Sequence, residues 1–357
     1  MKTRSLKNYS ASVGVEAYDI DWNSTEEILE LGKLCAHQCV VFVNESLPIE
    51  QLVRATNQWG DPAGGFVNGL VAQGKLTGRH WRDFYATIAR TVVDLPKDLQ
   101  RNVVRVTYRR DEKNLPTGIF ANGELDWHCD QSSFDDAQRV IALASVSDSK
   151  NSRTQFLCTH DAYESLSGDM RSMVKELVVK HKWVMGAVAP GLDLAQNLIA
   201  KYNSVPIDGM ETNLYSETVT GLSGLKLPTH SFNGFVGMSR EESDKILAEL
   251  NKAVFKEEYI YSQDWEDGQI VFMDQEITLH NRPTNVSHGN KRLMTRVINY
   301  VNKIYPHKQP VHHVRLNGKQ VDFDDFAKLV DEERKIFFKE IQNAGYADTN
   351  KQIFAPQ

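Results

Sequence analysis

Apolar residues recur at helical spacing at Ile28, Leu31, Leu34 and Cys35, and Ser24 with Glu27 places a capping-box signature just ahead of them. The run from Cys39 to Val43 is short and continuously apolar, as a buried strand requires. Pro48 to Trp59 returns to helical period, with Pro48 near the first turn, where its missing N–H costs nothing. Between residues 60 and 78 glycine is frequent and the period is lost, which predicts a loop or lid. No strand leads directly into those glycines, so they form no dinucleotide or phosphate fingerprint.

Beyond residue 102 the period shortens to that of strands, with candidates at 103–108, 125–130, 139–146 and 154–157. A helix is expected over 169–179, followed by a long, weakly periodic stretch from 185 to 227 that reads as a functional loop insertion. Ser239 and Glu242 form a second capping box, opening a helix with Ile246, Leu247, Leu250 and Val254 on one face. The segments 259–265 and 269–274 read as a hairpin around Asp267-Gly268. A strand over 291–301 and an amphipathic helix over 323–341 complete the series. Helices toward both ends and short strands between them give an α+β class, a β-sandwich or jelly-roll core flanked by helices. No Pro/Ser-rich linker or repeat marks a boundary. The expectation is one domain over 1–357, with a lid around 60–80, an irregular insertion around 185–230 and a C-terminal helix around 322–344.

Composition narrows the class without naming it. The chain has 357 residues, 41% hydrophobic and 25% charged, as a globular protein does. A net charge of −6 with no basic stripe argues against nucleic acid as the main partner. The N-terminal segment is basic but has no apolar run of a secretory signal, and no stretch reaches the roughly 18 apolar residues of a membrane span. A cytoplasmic protein without a membrane partner is expected, and assembly into a homo-oligomer is left open. Four cysteines do not make a disulfide framework in a chain of this length. Cys35, His37 and Cys39 invite a zinc reading, but no second Cys/His pair completes a tetrahedral site. Cys35 fits the apolar helix face instead, and Cys39 the start of the strand.

The chemistry centres on His128-Cys129-Asp130. Residues two apart on a strand share a face, so His128 and Asp130 can reach one ion while Cys129 points away. Two histidines and a carboxylate on one side of an ion leave its other positions open, the donor set of non-haem Fe(II) oxygen chemistry. For the second histidine, His280 lies near the end of the strand that begins at Gln269, and its rival His288 lies in a Gly/Asn loop. A strand holds a ligand more rigidly than such a loop, which favours His280. Arg296 alternates with apolar neighbours in a core strand that holds no acidic residue to partner it. A buried guanidinium needs a carboxylate, which a dicarboxylate cosubstrate would supply and a distant Asp or Glu could also supply. Arg292 shares the same strand face and is the second candidate.

These residues carry a family resemblance. The segments Gly14–Asp21, Val40–Val43, Trp59-Gly60, Gly123–Asp130, Thr154–Leu157, Ala162–Leu166, Gly237–Ser243, Gln269–His280 and Lys291–Arg296 resemble, in order, the taurine dioxygenase-like family of Fe(II)/2-oxoglutarate-dependent oxygenases. The resemblance runs from about residue 12 to residue 305. It implies a double-stranded β-helix core, iron held by His128, Asp130 and His280, and a 2-oxoglutarate carboxylate gripped by Arg296 with a hydrogen bond from Thr154. It further implies Fe(II), 2-oxoglutarate and O2 as the reactive set, with release of succinate and CO2. Related halogenases carry a small residue where this chain has Asp130, so the resemblance points to oxygenation.

The substrate is the least legible part. A small polar molecule, most simply hydroxylated, is the leading reading. Desaturation, epoxidation and oxidative cyclisation begin with the same oxidant, and a non-catalytic 2-oxoglutarate-binding protein is the rival of another class. Glu124 and Asp126 precede His128 at strand period and would favour a cationic or amino-acid-like substrate if they face the cavity mouth; solvated strand residues are the plainer reading. Asn122, Ser132 and Phe134 are lining candidates by proximity to the ligands.

Overall fold

The computed structural model describes residues 1–63, 95–110, 112, 117–120, 123–182, 207–228, 231–286, 291–311 and 313–343. The N-terminal part supplies β1 (Lys2–Ser5), β2 (Val15–Tyr18), α1 (Thr25–Gln38), β3 (Val40–Val43) and α2 (Ile49–Thr56). Next come β4 (Val103–Thr107), β5 (Gly123–His128), β6 (Arg139–Ser147) and β7 (Arg153–Cys158). The middle region holds α3 (His160–Glu164), α4 (Gly168–Glu176), β8 (Val178–His181), β9 (Met210–Asn213), β10 (Tyr215–Glu217), β11 (Ser223–Leu225) and β12 (Phe232–Phe235). The rest comprises α5 (Arg240–Val254), β13 (Ile260–Asp264), β14 (Ile270–Asp274), β15 (Thr278–Val286), β16 (Leu293–Tyr300), β17 (His313–Leu316), β18 (Lys319–Asp322) and α6 (Phe323–Asn343).

Two sheets dominate, one of seven strands in the order β1-β2-β3-β14-β6-β16-β4 and one of four in the order β13-β7-β15-β5. Alternation along each strand sorts the side chains into layers. Val41, Val43, Ala142, Ala144, Phe272 and Val297 leave the outer face of the large sheet to pack on Ile28, Leu31, Leu52 and Trp59 of the α1–α2 region. Their neighbours Val40, Ile141, Leu143, Val271, Met273, Met294 and Ile298 point inward and meet Phe156 and Tyr261 of the small sheet. Leu157 and Leu279 leave the far face of the small sheet and pack with Tyr163 of α3 and Leu250 and Val254 of α5. The result is a mixed α/β protein, mostly sheet, with helices on both outer faces. A further sheet, β12-β8-β9-β17-β18, draws β8, β9 and β12 from the chain between β7 and β13, and its β17 and β18 carry α6; in the pair β10-β11, β11 packs on α3.

Both caps form, by different routes. At α5 the Ser239 hydroxyl accepts from Glu242 N–H and the Glu242 carboxylate accepts in return. At α1 Ser24 accepts from Glu27 N–H, but the Glu27 carboxylate turns to Asp21 N–H and the N-terminal ammonium. That box is half made.

Three expectations change. The hairpin over 259–274 is not one: β13 pairs with β7 in the small sheet, whereas β14 pairs with β3 and β6 in the large one. Gly268, at φ 85°, turns the link, and the Asp267 carboxylate accepts from Asp148 and Ser149 N–H. Turn chemistry is the same whether a link stays within a sheet or crosses between two. Likewise His280 does not continue the strand from Gln269; it lies in the separate strand β15, in the other sheet. The stretch 207–228 contains the short strands β9, β10 and β11, while the lid beyond residue 63 and the insertion over 183–206 lie outside the described residues.

Phe272 is fully buried and lies 5.3 Å from the ring of Trp59, whose indole N–H donates to Ile28 O of α1. Phe272→Ala is expected to cost about 3–5 kcal/mol in urea unfolding. A loss below about 1 kcal/mol would contradict this packing account.

Candidate metal centre

β15 lies between β5 and β7, and His280 stands directly opposite His128 in the β15–β5 ladder. Their rings are 4.1 Å apart, tilted by 48°. Asp130 follows two residues past the end of β5. One ligand atom from each of His128, Asp130 and His280 lies within 4.8 Å of the other two. The His128 Nε2 to Asp130 Oδ1 distance is 3.7 Å. Among the described residues these three form the group of metal-binding side chains.

Each donor is prepared locally. His128 Nδ1 lies 2.6 Å from Asp126 O. An N–H donated there fixes the tautomer and leaves Nε2 as an acceptor for a metal. His280 Nδ1 is buried and makes no hydrogen bond, an orphaned polar atom of the kind a ligand would satisfy. Burial, reinforced by His128, lowers the His280 pKa to about 3, so its imidazole is neutral as a metal ligand must be. For Asp130, burial alone would raise the pKa, but Arg296, His280, His128 and Arg139 outweigh it and lower it to about 2. An ionised carboxylate beside neutral imidazole, on one side of an open space, fits a divalent transition metal.

Cys129 points away as strand period requires. Its thiol donates to Gln275 O at 3.0 Å and sits among Leu157 and Leu279 in the outer core. Burial pushes that thiol well above its ordinary range, so it is no thiolate ligand.

Arg296 lies between Met294 and Ile298 on the inward face of β16, opposite the small sheet. The answer to its charge is Asp130 itself, whose Oδ2 accepts from Nη1. The distant-carboxylate alternative is thus what the structure contains, and Arg296 Nε is buried without a hydrogen bond. Arg292 is 2% exposed just ahead of β16. It adjoins Arg282, whose guanidinium donates to Gly123 O and Phe120 O at 2.8 Å each. Burial and then Arg292 drive the Arg282 pKa well below its usual value. Sequence reasoning passed over Arg282, although its spacing of two from His280 signalled the shared face. Thr154 is buried on β7, with Phe156 on the same face, and its hydroxyl oxygen accepts from Trp265 Nε1 at 2.9 Å.

The substrate candidates divide. Glu124 and Asp126 are exposed on β5, four and two residues ahead of His128. Ser132 is half-buried beyond Asp130. Phe134 is 4% exposed and its ring packs edge-on against Phe326 of α6 at 6.0 Å. A ring two residues past Ser132 in a loop has no strand period to aim it. Asn122 and the rival His288 lie outside the described residues. Cys35 and Cys39 are buried in core clusters and His37 is exposed, so these three do not converge on a zinc site.

Comparison with known proteins places this chain in a family. The model of the Taurine catabolism dioxygenase TauD, TfdA family matches residues 2–298. The alpha-ketoglutarate-dependent 2,4-dichlorophenoxyacetate dioxygenase of Cupriavidus pinatubonensis is 26% identical over 274 residues, 75% of this chain and 88% of its own. The (S)-phenoxypropionate/alpha-ketoglutarate-dioxygenase of Sphingobium herbicidovorans is 25% identical over 179 residues, 48% of this chain and 61% of its own. The crystal structure of a taurine dioxygenase from Burkholderia xenovorans superposes with a TM-score of 0.58 at 18% identity, covering 90% of this chain and 96% of that one. The class is a 2-oxoglutarate-dependent dioxygenase, using Fe(II), 2-oxoglutarate and O2. The chain belongs to the TauD/TfdA family. Among the described residues no helix is long and apolar enough to cross a membrane.

The neutral, buried His280 sets an acid limit for the metal-free protein. Its folded pKa of about 3 lies below the ordinary 6.5, so the unfolded chain binds the proton first. Folding is therefore penalised as pH falls from 6.5 toward 3, and the penalty is absent above that window. Urea unfolding of metal-free protein at pH 7 and pH 4 should show His280→Leu losing less stability on acidification than wild type, by on the order of 1–3 kcal/mol. Equal losses in the two proteins would contradict the assignment.

Proposed function

We propose that the chain is a single-domain oxygenase with a double-stranded β-helix core, which hydroxylates a small polar molecule at the His128–Asp130–His280 centre. The observation that carries this reading is the convergence of those three donors, with Arg296 held against Asp130. When bound there, Fe(II) would couple O2 reduction and decarboxylation of 2-oxoglutarate, giving succinate and CO2, to oxidation of the substrate. His128, Asp130 and His280 would hold the metal by three neighbouring donors, leaving the opposite side to cosubstrate and O2.

The protein's own cations and hydroxyl would orient the dicarboxylate. The Trp265 N–H already occupies the Thr154 oxygen, which leaves the Thr154 proton to donate to a carboxylate. Arg296 and Arg292 are the two candidates for the charge-assisted grip. Part of the Arg296 charge is engaged by Asp130. Arg292 lies buried just ahead of the same strand, beside Arg282. We therefore assign the distal carboxylate to Arg292 with Thr154, and to Arg296 the orientation of Asp130 and a supporting contact. Glu124 and Asp126, exposed on the strand that ends in His128, favour a substrate with a cationic or amino-acid-like group. Desaturation, epoxidation and ring closure use the same arrangement and are separated from hydroxylation by product mass.

Purified protein given Fe(II), 2-oxoglutarate and O2 should form succinate slowly without a substrate and faster with one. His128→Ala should abolish both. Succinate formation that survives His128→Ala would overturn the metal assignment.

The two arginines are separated by kinetics. Arg292→Met should raise the KM for 2-oxoglutarate about tenfold or more, the scale of a lost charge-assisted contact. Arg296→Met should act mainly on metal binding. The reverse pattern would return the carboxylate to Arg296.

A further inference from the structure

We infer that Gln275 is a positioning residue for Asp130, and that the turn between β14 and β15 thereby sets two of the three metal ligands at once. The inference rests on the reading of His128, Asp130 and His280 as the metal site. His128 and His280 are fixed by strand pairing, but Asp130 lies beyond the end of β5 and has no ladder to hold it. The next residue, Gln131, has a left-handed φ of 61°, so the chain turns sharply there.

Gln275 replaces the missing ladder. Its side chain is fully buried, and Oε1 accepts the Asp130 backbone N–H at 2.9 Å. Its carbonyl oxygen accepts the Cys129 thiol at 3.0 Å, so consecutive residues of the ligand segment are clasped by one partner. The clasp is itself braced. Gln275 N–H donates to Arg139 O at 2.9 Å, and Gln275 Nε2 donates to Asp274 O at 3.0 Å. Arg139, buried at the start of β6, in turn donates from Nη1 to the Gln131 side-chain oxygen.

Below the clasp, the turn is held rigid by Asp274. Its carboxylate accepts from Glu276 N–H at 3.0 Å, Ile277 N–H at 2.8 Å and Gln138 Nε2 at 2.7 Å. His280 follows Gln275 by five residues in the same segment. The separation of Asp130 and His280 is therefore fixed through one short stretch of chain, independently of the Arg296 contact at the carboxylate tip. Hydrogen bonds behind a metal ligand commonly carry tenfold to hundredfold effects on affinity.

The test is Co(II) binding to the full chain, followed by the visible absorption of the bound ion, with near-UV circular dichroism and urea unfolding of the metal-free proteins alongside. Gln275→Met keeps the length and removes the accepting oxygen. Its Co(II) affinity should fall about tenfold to a hundredfold, with an altered absorption envelope. Gln275→Glu keeps an accepting oxygen at the same reach and should recover affinity to within about threefold of wild type, whatever it does to stability. If Gln275→Met does not fold, Gln275→Asn, which draws the acceptor back by one methylene, is read in the same way. Wild-type affinity in the Met or Asn variant, or equal loss in Gln275→Glu, overturns the positioning role. A wild-type chain that takes no Co(II), or takes it equally after His128→Ala, overturns the metal site and this role with it.

Discussion

The register of β15 between β5 and β7 is the constraint on which the centre depends. His280 faces His128 on one side and Phe156 on the other, while Leu279 pairs with Leu157 and both enter the outer core. Because side chains alternate with period two, a slip of one residue would bury His280 under the helices and bring Leu279 to the interior. The cost of stranding an imidazole in the outer core and exposing leucines to the polar interior guards that register. Past His280 the β15–β5 pairing shifts twice, at Arg282 and at Val286. Irregularities of this kind re-aim side chains near active sites, and here the strand is regular up to the ligand and irregular beyond it.

The interior so formed is unusually charged for a space between sheets. Asp130 answers Arg296, and the Arg282–Arg292 pair lies nearby along the same strands. Burying such groups is expensive and is seldom retained for stability, because apolar residues of similar volume would serve better. Charged groups held in that position suit a site that works on a polar, charged molecule. The large apolar layers on the two outer faces, with the inward layer around Phe156, supply the burial that tolerates this cost.

Much of this was legible in the sequence wherever period carried the information. His128 and Asp130 shared a face by spacing, Cys129 turned away, and the capping boxes marked α1 and α5. Partnership between distant strands was not legible. Asp267-Gly268 advertised a turn without saying that it joins two sheets, and His280 was attached to the wrong strand for the same reason. The Arg296 partner was hidden because Asp130 lies 166 residues away in sequence. Phe134 looked like a lining residue by proximity alone, and its ring packs against Phe326. Gln275 and Arg282 carried no motif of their own; their roles follow from what the fold brings against them.

The central claim is that His128, Asp130 and His280 hold one metal ion and that 2-oxoglutarate binds beside it, against Thr154 and the arginines of the large sheet. An anomalous-scattering map from crystals grown anaerobically with Mn(II) and 2-oxoglutarate tests it directly. The account predicts a single strong peak between those three side chains, with the distal carboxylate of the cosubstrate at Thr154 and Arg292. A peak elsewhere, or one that leaves out His280, would contradict it.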